Sequence, residues 1–184
     1  MLFYVFPVVS VAVTFFHFIG SGTDCPLLMP VKHWGYGMNS QTDIFQEALK
    51  LVSRQICYGY ELSGLHAYTF HDGSLAYLRI RLKKDDKKLI FPMHKNDQGV
   101  YVLKEPNFNG KMKPVYRCHE LTNSTEQPVY VVEGESCADK LAEMGLMVTT
   151  SGSSSSAKNA DWSPLAGRTV IIWRDADDAC YLAP

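Results

Sequence analysis

The sequence predicts an α/β protein in which an antiparallel, β-rich region precedes a domain built on a mainly parallel sheet. Residues 66–104 alternate apolar and polar side chains between turn signals, a pattern typical of antiparallel strands. From residue 128 on, short unbroken apolar segments alternate with a helical segment and a polar loop, which indicates parallel strands joined by right-handed crossovers. Hydrophobic residues make up 46% and charged residues 20% of the 184 residues, which excludes a disordered or fibrous chain.

The amino-terminal segment, residues 1–23, contains no Lys, Arg, Asp or Glu. Roughly 20 apolar residues suffice to cross a bilayer, so a membrane anchor is one interpretation. A signal peptide is a second, although no basic residue precedes the apolar run. A buried core element, or an extension from a misplaced start codon, is a third. Lys32 and His33 follow the run and favour a cytoplasmic carboxyl side. We therefore predict a cytoplasmic protein, with membrane association through residues 1–23 left open.

Residues 24–62 are predicted to be a linker that carries one amphipathic helix. Within 42–56, apolar side chains recur at helical spacing, and Thr42 or Asp43 is the expected N-cap. This pattern is typical of a packing helix and carries no chemistry.

The five cysteines are widely spaced and include no C-x-x-C pair, which excludes a zinc ribbon within the chain. Their density is too low for a domain held together by disulfides, so we expect free thiols in a reducing cytoplasm.

Residues 63–120 are predicted to form a basic antiparallel β subdomain. Asp72-Gly73 marks one hairpin turn and residues 96–99 mark another, and the charged turn KKDDKK lies between the two hairpins. Residues 75–117 hold 11 basic and 4 acidic side chains, whereas residues 118–184 hold 4 basic and 10 acidic ones. A charge asymmetry of this kind suggests a polyanionic partner.

A row of cations occupies one face of a predicted strand in which Leu78, Ile80 and Leu82 alternate with basic residues. A solvated outer face explains such a row, because charged outer faces are usual in antiparallel sheets. A track for a nucleic-acid backbone also explains it, because basic side chains neutralise phosphates. The candidate nucleic-acid-binding residues are Arg79, Arg81, Lys83 and Lys84. The aromatic residues that either stack on bases or pack in the core are Tyr68, Tyr77 and Tyr101.

Residues 121–184 are predicted to form the domain with the parallel sheet. Its strands are PVYVV, LMVTT and RTVIIW, and SGSSSSAKNADW is a polar loop between the last two. SCADKLAEMG is predicted to be a helix, with Ser136 and Asp139 as a capping box and Gly145 as its carboxyl-terminal stop.

Two acidic clusters follow the first and third of these strands. Glu133-Gly134-Glu135 comes after PVYVV, and Asp175 and Asp177 come after RTVIIW. Sites in open parallel sheets form outside the carboxyl ends of the strands, so neighbouring strands bring these carboxylates together. Several carboxylates at such short distances all stay ionised only when a cation lies between them. Ligand sets made of oxygen atoms suit Mg²⁺ or Mn²⁺. Gly134 lets the chain turn sharply after the strand. Ordinary solvated loop acids are the alternative.

Three local patterns suggest other chemistry. Residues 134–138 nearly match the nucleophile elbow of an α/β-hydrolase, but all six histidines precede Ser136, so the triad cannot be completed in that order. GSSSSAKN nearly matches a P-loop, but Ala157 and Asn159 replace the glycine and the hydroxyl residue that such a loop needs. A phosphatase of the haloacid dehalogenase type carries D-x-D after its first strand and leaves Glu133 unexplained.

The combined motif PVYVVEGESCADKLAEMGLMVTTSG…GRTVIIWRDAD resembles the TOPRIM domain. That domain is shared by bacterial-type primases, type IA and type II topoisomerases, RecR-type repair proteins and OLD-type nucleases. The sequence looks most like the primases of phages, plasmids and integrative elements, and the resemblance covers roughly residues 60–184. It implies a Rossmann-like fold in which Glu133 is the general acid or base and a metal ligand. It also implies that Asp175 and Asp177 bind the metal.

The resemblance also implies auxiliary residues and a boundary. Cys137 stands where the family's glutamate loop usually has an acid, and Asp139 is the candidate replacement. Glu135 is a second auxiliary metal candidate, and Lys158 is a candidate phosphate contact. The family's domain continues with a helix and a strand after the aspartates, so the resemblance implies a domain that is incomplete at its carboxyl terminus.

By resemblance, the expected function is that of a primase-type protein of a mobile element, of which this chain is a fragment. The intact protein would polymerise ribonucleotides on single-stranded DNA with Mg²⁺ or Mn²⁺. Its implied partners are the DNA template, nucleoside triphosphates and a replicative helicase. Two alternatives stay open, a non-catalytic nucleic-acid-binding module and a TOPRIM nuclease.

Overall fold

The computed structural model describes the backbone of residues 38–124 and 126–173, and the side chains of these residues except 38–42 and 154. Residues 1–23, the candidate membrane anchor, lie outside the described residues. Within the described ranges, no helix combines the length and the apolar character that a bilayer-spanning segment needs.

Two helices precede the first strand. Helix α1 spans Met38–Leu51 and α2 spans Ser53–Cys57, and a hydrogen bond from Val52 N to Ala48 O makes them nearly continuous. The helix predicted over 42–56 is confirmed, but its predicted N-cap is wrong, because Thr42 and Asp43 lie inside α1. Residues 38–41 contain no Gly or Pro, so no residue there prevents the additional turn.

The four strands that follow form one antiparallel sheet. They are β1 Glu61–Thr69, β2 Leu75–Lys84, β3 Lys87–Lys95 and β4 Tyr101–Val102, and each pairs with the next. Both predicted hairpin turns are confirmed. Gly73 (φ +84°) and Gly99 (φ +77°) adopt the left-handed conformation there, which glycine reaches without a steric penalty. The two residues Asp85-Asp86 connect β2 to β3.

One face of the antiparallel sheet packs against α1. Leu78, Ile80 and Leu82 of β2 are at most 4% exposed and share a core with Ala48 and Val52. Each fully buried aliphatic side chain of this size contributes about 1.5–3 kcal/mol. The predicted alternation along β2 is therefore confirmed. Arg79, Arg81 and Lys83 lie on the opposite face, whereas Lys84 lies on the same face as Leu82.

The rest of the described chain builds two small parallel sheets. In chain order, its elements are β5 Lys113–Pro114, α3 Cys118–Asn123, β6 Val129–Val131, α4 Glu135–Glu143, β7 Met147–Thr149, β8 Ala160–Asp161 and β9 Val170–Ile172. Strands β7, β6 and β9 form a three-stranded sheet in that order, and β5 pairs with β8. The predicted α/β class is confirmed as a mixed fold with an antiparallel sheet of four strands and small parallel sheets.

The serine-rich segment after β7 is more ordered than its composition indicates. A 3-10 helix spans Ser154–Asn159, and β8 follows it directly. Trp162 Nε1 donates to Ala157 O at 2.8 Å, and Ala160 is buried. The prediction of a polar loop over this segment is therefore wrong in part, because Ala160 and Trp162 pack against a core that includes Val115 and Leu121, which are distant in the sequence.

The strands of the parallel sheet differ in burial. Val129 of β6 and Val148 of β7 are fully buried, whereas Ile172 of β9 is 73% exposed. The expectation that each acidic cluster follows a buried strand therefore holds for β6 and is wrong for β9. Both β7 and β9 are edge strands of the described sheet, but β7 packs against α3 and α4.

Three cysteines fall within the described residues, and all three are free. Cys57 and Cys137 are exposed and Cys118 is buried, which confirms the expected thiols at these positions. Burial, and to a lesser degree the Asp161 carboxylate, raises the pKa of Cys118 to about 11, so this thiol stays protonated at neutral pH.

Candidate functional site

The candidate site lies at the carboxyl end of β6, the central strand of the three-stranded sheet. Val131 of β6 is in register with Thr149 of β7 and Ile172 of β9. The pairing extends one residue further on the β9 side, where Trp173 N donates to Val131 O at 2.8 Å. Because all three strands are parallel, the segments that follow them leave the sheet at the same edge.

Glu133 is exposed and comes two residues after the last residue of β6. Within the described part of the chain it has no hydrogen bond or ion pair. Gly134 follows as the N-cap of α4 with an extended backbone (φ −141°, ψ 157°) that any residue adopts. No atom lies within 4 Å of the position that a Cβ on Gly134 would take. The chain therefore does not use the conformational freedom that the sequence analysis assigned to Gly134.

Glu135 faces the protein interior. It is 3% exposed, and its Oε1 accepts hydrogen bonds from the Tyr68 hydroxyl at 2.6 Å and from Arg79 Nη1 at 2.9 Å. Burial, together with the adjacent Glu135 charge, raises the pKa of Tyr68 far above its usual range, so the hydroxyl remains a donor. Glu135 thus joins the parallel domain to the basic face of the antiparallel sheet.

Asp139, one turn further along α4, contacts the same interface. Its Oδ1 accepts a hydrogen bond from the Tyr116 hydroxyl at 2.8 Å, and its Oδ2 lies 3.1 Å from His66 Nδ1. Burial and the neighbouring Asp139 carboxylate raise the pKa of Tyr116 far above its usual range. Both auxiliary candidates, Glu135 and Asp139, therefore have partners within the protein.

The capping box predicted for α4 is wrong. The helix begins at Glu135 with Gly134 as N-cap and without a side-chain capping bond. Ser136 lies inside the first turn, and its hydroxyl accepts a hydrogen bond from Arg81 Nη1 at 2.6 Å. The hydroxyl is therefore engaged by the antiparallel sheet, a contact that the local sequence does not reveal.

The four candidate nucleic-acid-binding residues occupy two different environments. The side chain of Arg79 is 13% exposed and paired with Glu135, and Arg81 is half-buried on Ser136. Lys83 and Lys84 are exposed at the end of β2. The cationic row is thus covered by α4 at its start and open to solvent at its end.

The tyrosines for which base stacking or core packing was left open are mostly core residues. Tyr68 and Tyr77 are at most 1% exposed, and their rings stack with centroids 4.4 Å apart. Their placement supports core packing. Tyr101 is half-buried and lies 5.1 Å from Lys95 Nζ, measured from the ring centroid.

Gly152, in the segment after β7, is a site residue that the sequence analysis considered only as the first glycine of the near match to a P-loop. Its φ is +90°, and a Cβ at this position would lie 1.7 Å from Arg79 Nη1 and 2.7 Å from the Tyr68 hydroxyl. The backbone after β7 therefore passes directly over the Arg79–Glu135 pair. The only sequence signal is the Ser-Gly dipeptide after a strand, which is common in loops. Lys158, further along, is exposed in the 3-10 helix.

Replacing Gly152 with Ala is expected to destabilise the protein by more than replacing Gly145. Both glycines have a positive φ, which costs a non-glycine residue about 1–3 kcal/mol. A Cβ at Gly145 meets no atom within 4 Å, whereas at Gly152 it displaces Arg79 from its partner. Urea unfolding of Gly152→Ala and of the control Gly145→Ala measures the difference. Equal losses of unfolding free energy would contradict the close approach of Gly152 to Arg79.

Asp175 and Asp177, the predicted metal ligands after β9, lie outside the described residues. Among the residues that are described, no three His, Cys, Asp or Glu side chains are grouped closely enough to hold a metal ion. A scan against protein-family models, a search of curated proteins and a search of solved structures found no match to this chain.

Proposed function

We propose that this chain carries part of a metal-dependent nucleotidyl-transfer site of the TOPRIM type, as in a primase of a mobile element. In this proposal, Glu133 assists proton transfer and helps to hold Mg²⁺ or Mn²⁺, and Asp175 and Asp177 complete the metal site. The intact protein would synthesise RNA primers on single-stranded DNA from nucleoside triphosphates, alongside a replicative helicase.

One observation carries the proposal, namely the position of Glu133 relative to β9. Glu133 is an exposed carboxylate at the carboxyl end of the central parallel strand, and β9 is the in-register neighbour of that strand. Neighbouring strands lie about 4.8 Å apart. Asp175 comes two residues after Trp173, whose backbone is bonded to β6, and two residues extend at most about 7 Å. In the sequence, Glu133 comes two residues after the end of β6 and Asp175 three residues after the end of β9, and this shared placement after neighbouring strands supports a common metal site.

The donor set fits the proposed metal. Glu133 supplies a solvent-facing carboxylate, and oxygen-only ligands are those that Mg²⁺ and Mn²⁺ prefer. When bound, such a metal orients phosphates and stabilises charge during an in-line displacement. The Glu133 carboxylate is also available to a substrate or a metal, because it is not bonded to another described residue.

A specific observation favours a second candidate, the non-catalytic nucleic-acid-binding module. Glu135 and Asp139 both hold hydrogen bonds to the antiparallel sheet or to Tyr116, so Glu133 is the acid in this loop that faces solvent. A site with fewer carboxylates binds a metal more weakly. This candidate predicts nucleic-acid binding that survives loss of the acidic clusters and weakens with salt.

Calorimetric titration of the full chain with Mn²⁺ tests the proposal. We expect binding by the parent chain and by Glu126→Gln, a control in which an exposed glutamate outside the site is neutralised. We expect the Glu133→Gln variant and the Asp175→Asn/Asp177→Asn double variant to lose this binding, because each lacks carboxylate ligands. A parent chain that binds no Mn²⁺ would contradict the proposed metal site and favour the non-catalytic nucleic-acid-binding module. Nicking of plasmid DNA that requires Glu133 would instead favour a nuclease.

A further inference from the structure

Four lysines crowd the end of the β2–β3 hairpin. Lys83 pairs with Lys88 and Lys84 pairs with Lys87 directly across the two strands, and all four are exposed. Like charges directly opposite one another destabilise a sheet. The turn aspartates, Asp85 and Asp86, are outnumbered by the lysines around them. An anion that binds here would reduce the electrostatic repulsion among the lysines.

An exposed aromatic side chain lies beside one of these lysine pairs. Tyr58, directly after α2, is 61% exposed, and the guanidinium carbon of Arg54 lies over its ring, 5.8 Å from the centroid. Lys84 Nζ donates to Tyr58 O at 2.6 Å and lies 6.0 Å from the centroid of the Tyr60 ring. Lys84 therefore ties the turn after α2 to the hairpin end.

Lys84 and Lys87 share one face of the antiparallel sheet, and Lys84 contacts the turn that carries Tyr58. Residues directly opposite on neighbouring strands point to the same face, with Cβ atoms about 4.5–5.5 Å apart, so Lys87 stands next to Lys84. We call Arg54, Tyr58, Tyr60, Lys84 and Lys87 the Tyr58 surface. It lies on the side opposite to Arg79 and Arg81, whose side chains contact α4, so these arginines are not part of it.

We propose that the Tyr58 surface binds single-stranded nucleic acid. Lys84, Lys87 and Arg54 would contact successive phosphates, and a base would stack on the exposed ring of Tyr58. A positively charged surface with an exposed aromatic residue is the combination that single-strand binding uses, because an unpaired base offers its π-face. A duplex hides these faces within its own stack, so the surface favours an unpaired strand.

This inference rests on the proposed function only in treating the bound strand as a template. The binding itself needs no metal and can be measured in EDTA. A chain that binds Mn²⁺ but no oligonucleotide would overturn this inference alone. A chain that binds the oligonucleotide but no Mn²⁺ would overturn the proposed metal site alone.

Fluorescence anisotropy of the full chain with labelled oligothymidylate in EDTA tests the inference. The strand has about 20 nucleotides, more than the roughly 4–16 that a stacking site occupies. We expect Tyr58→Ala to raise the Kd about 5- to 150-fold, and Tyr58→Phe to stay near the parent, because phenylalanine also stacks. An abasic strand of equal length should bind the parent and Tyr58→Ala equally, because it offers no base.

A second variant tests the phosphate contacts. Lys87→Gln should reduce the slope of log affinity against log salt by about 1, since each phosphate contact contributes roughly that amount. Lys111→Gln removes the same charge from an exposed position outside the surface and should leave the slope unchanged. Unchanged binding in both Tyr58→Ala and Lys87→Gln would overturn the inference. Tighter binding of a duplex of equal length, or an equal effect of Tyr58→Ala on the abasic strand, would also overturn it.

Discussion

Replacing Glu133 with Gln is expected to lower the rate of RNA primer synthesis on single-stranded DNA by about 10²–10⁴-fold, the range for loss of a general acid or base. The amide keeps the shape of the side chain but neither accepts a proton nor carries the charge that a divalent cation needs. Because Glu133 is exposed and has no partner in the described part of the chain, its replacement should change the free energy of unfolding by no more than about 0.5 kcal/mol. The assay is incorporation of ribonucleotides by the intact protein, of which this chain is proposed to be a part, in the presence of Mg²⁺.

The control for this variant is Glu126→Gln, which makes the same chemical change at an exposed position that precedes β6. It should leave both the rate and the unfolding free energy at the parent values. Primer synthesis that is equal in Glu133→Gln and in the parent would contradict the catalytic role. A large loss of stability in Glu133→Gln would contradict the solvent-facing position of this carboxylate.

Replacing Glu135 with Ala is expected to lower the free energy of unfolding by about 3–5 kcal/mol, the cost of removing one partner of a buried ion pair. Arg79, whose side chain is 13% exposed, would be left with an uncompensated charge. The Tyr68 hydroxyl, which is buried, would lose the acceptor to which it now donates. Urea unfolding followed by circular dichroism measures the change.

Two further variants distinguish the loss of this buried ion pair from a general effect of the substitutions on the stability of the fold. Glu120→Ala breaks an exposed pair with Arg117 and should cost only about 0–1 kcal/mol. The double variant Glu135→Leu/Arg79→Met removes both buried charges, so its loss should be smaller than the sum of the two single losses. Additive losses would show that the two side chains do not depend on one another, and would contradict the pairing.

The two hairpins were predictable because their determinants are local. Asp72-Gly73 and the segment ending at Gly99 place glycine where the backbone needs a positive φ, and alternating side chains flank both turns. The parallel order of β6, α4 and β7 was predictable for a similar reason. A short apolar strand, a helix and a second strand in direct succession have only one common arrangement.

The candidate site was predictable only in part. The position of Glu133 at the end of β6 follows from the strand pattern and is confirmed. The capping role of Ser136 was a local inference and is wrong, because Arg81, 55 residues earlier, donates to the same hydroxyl. Composition likewise indicates a loop where Trp162 and Ala160 order the serine-rich segment.

The sequence by itself determined the strand pattern, the hairpin turns and the placement of Glu133 at the end of β6. The tertiary structure alone decided which charged side chains face solvent. Arg79 and Lys83 follow the same alternation along β2, yet Arg79 is paired with Glu135 and Lys83 is exposed. The reason is that α4 covers the start of this face and not its end. Charge and spacing along a strand are local properties, whereas the partner of a charge depends on which distant segment packs against it.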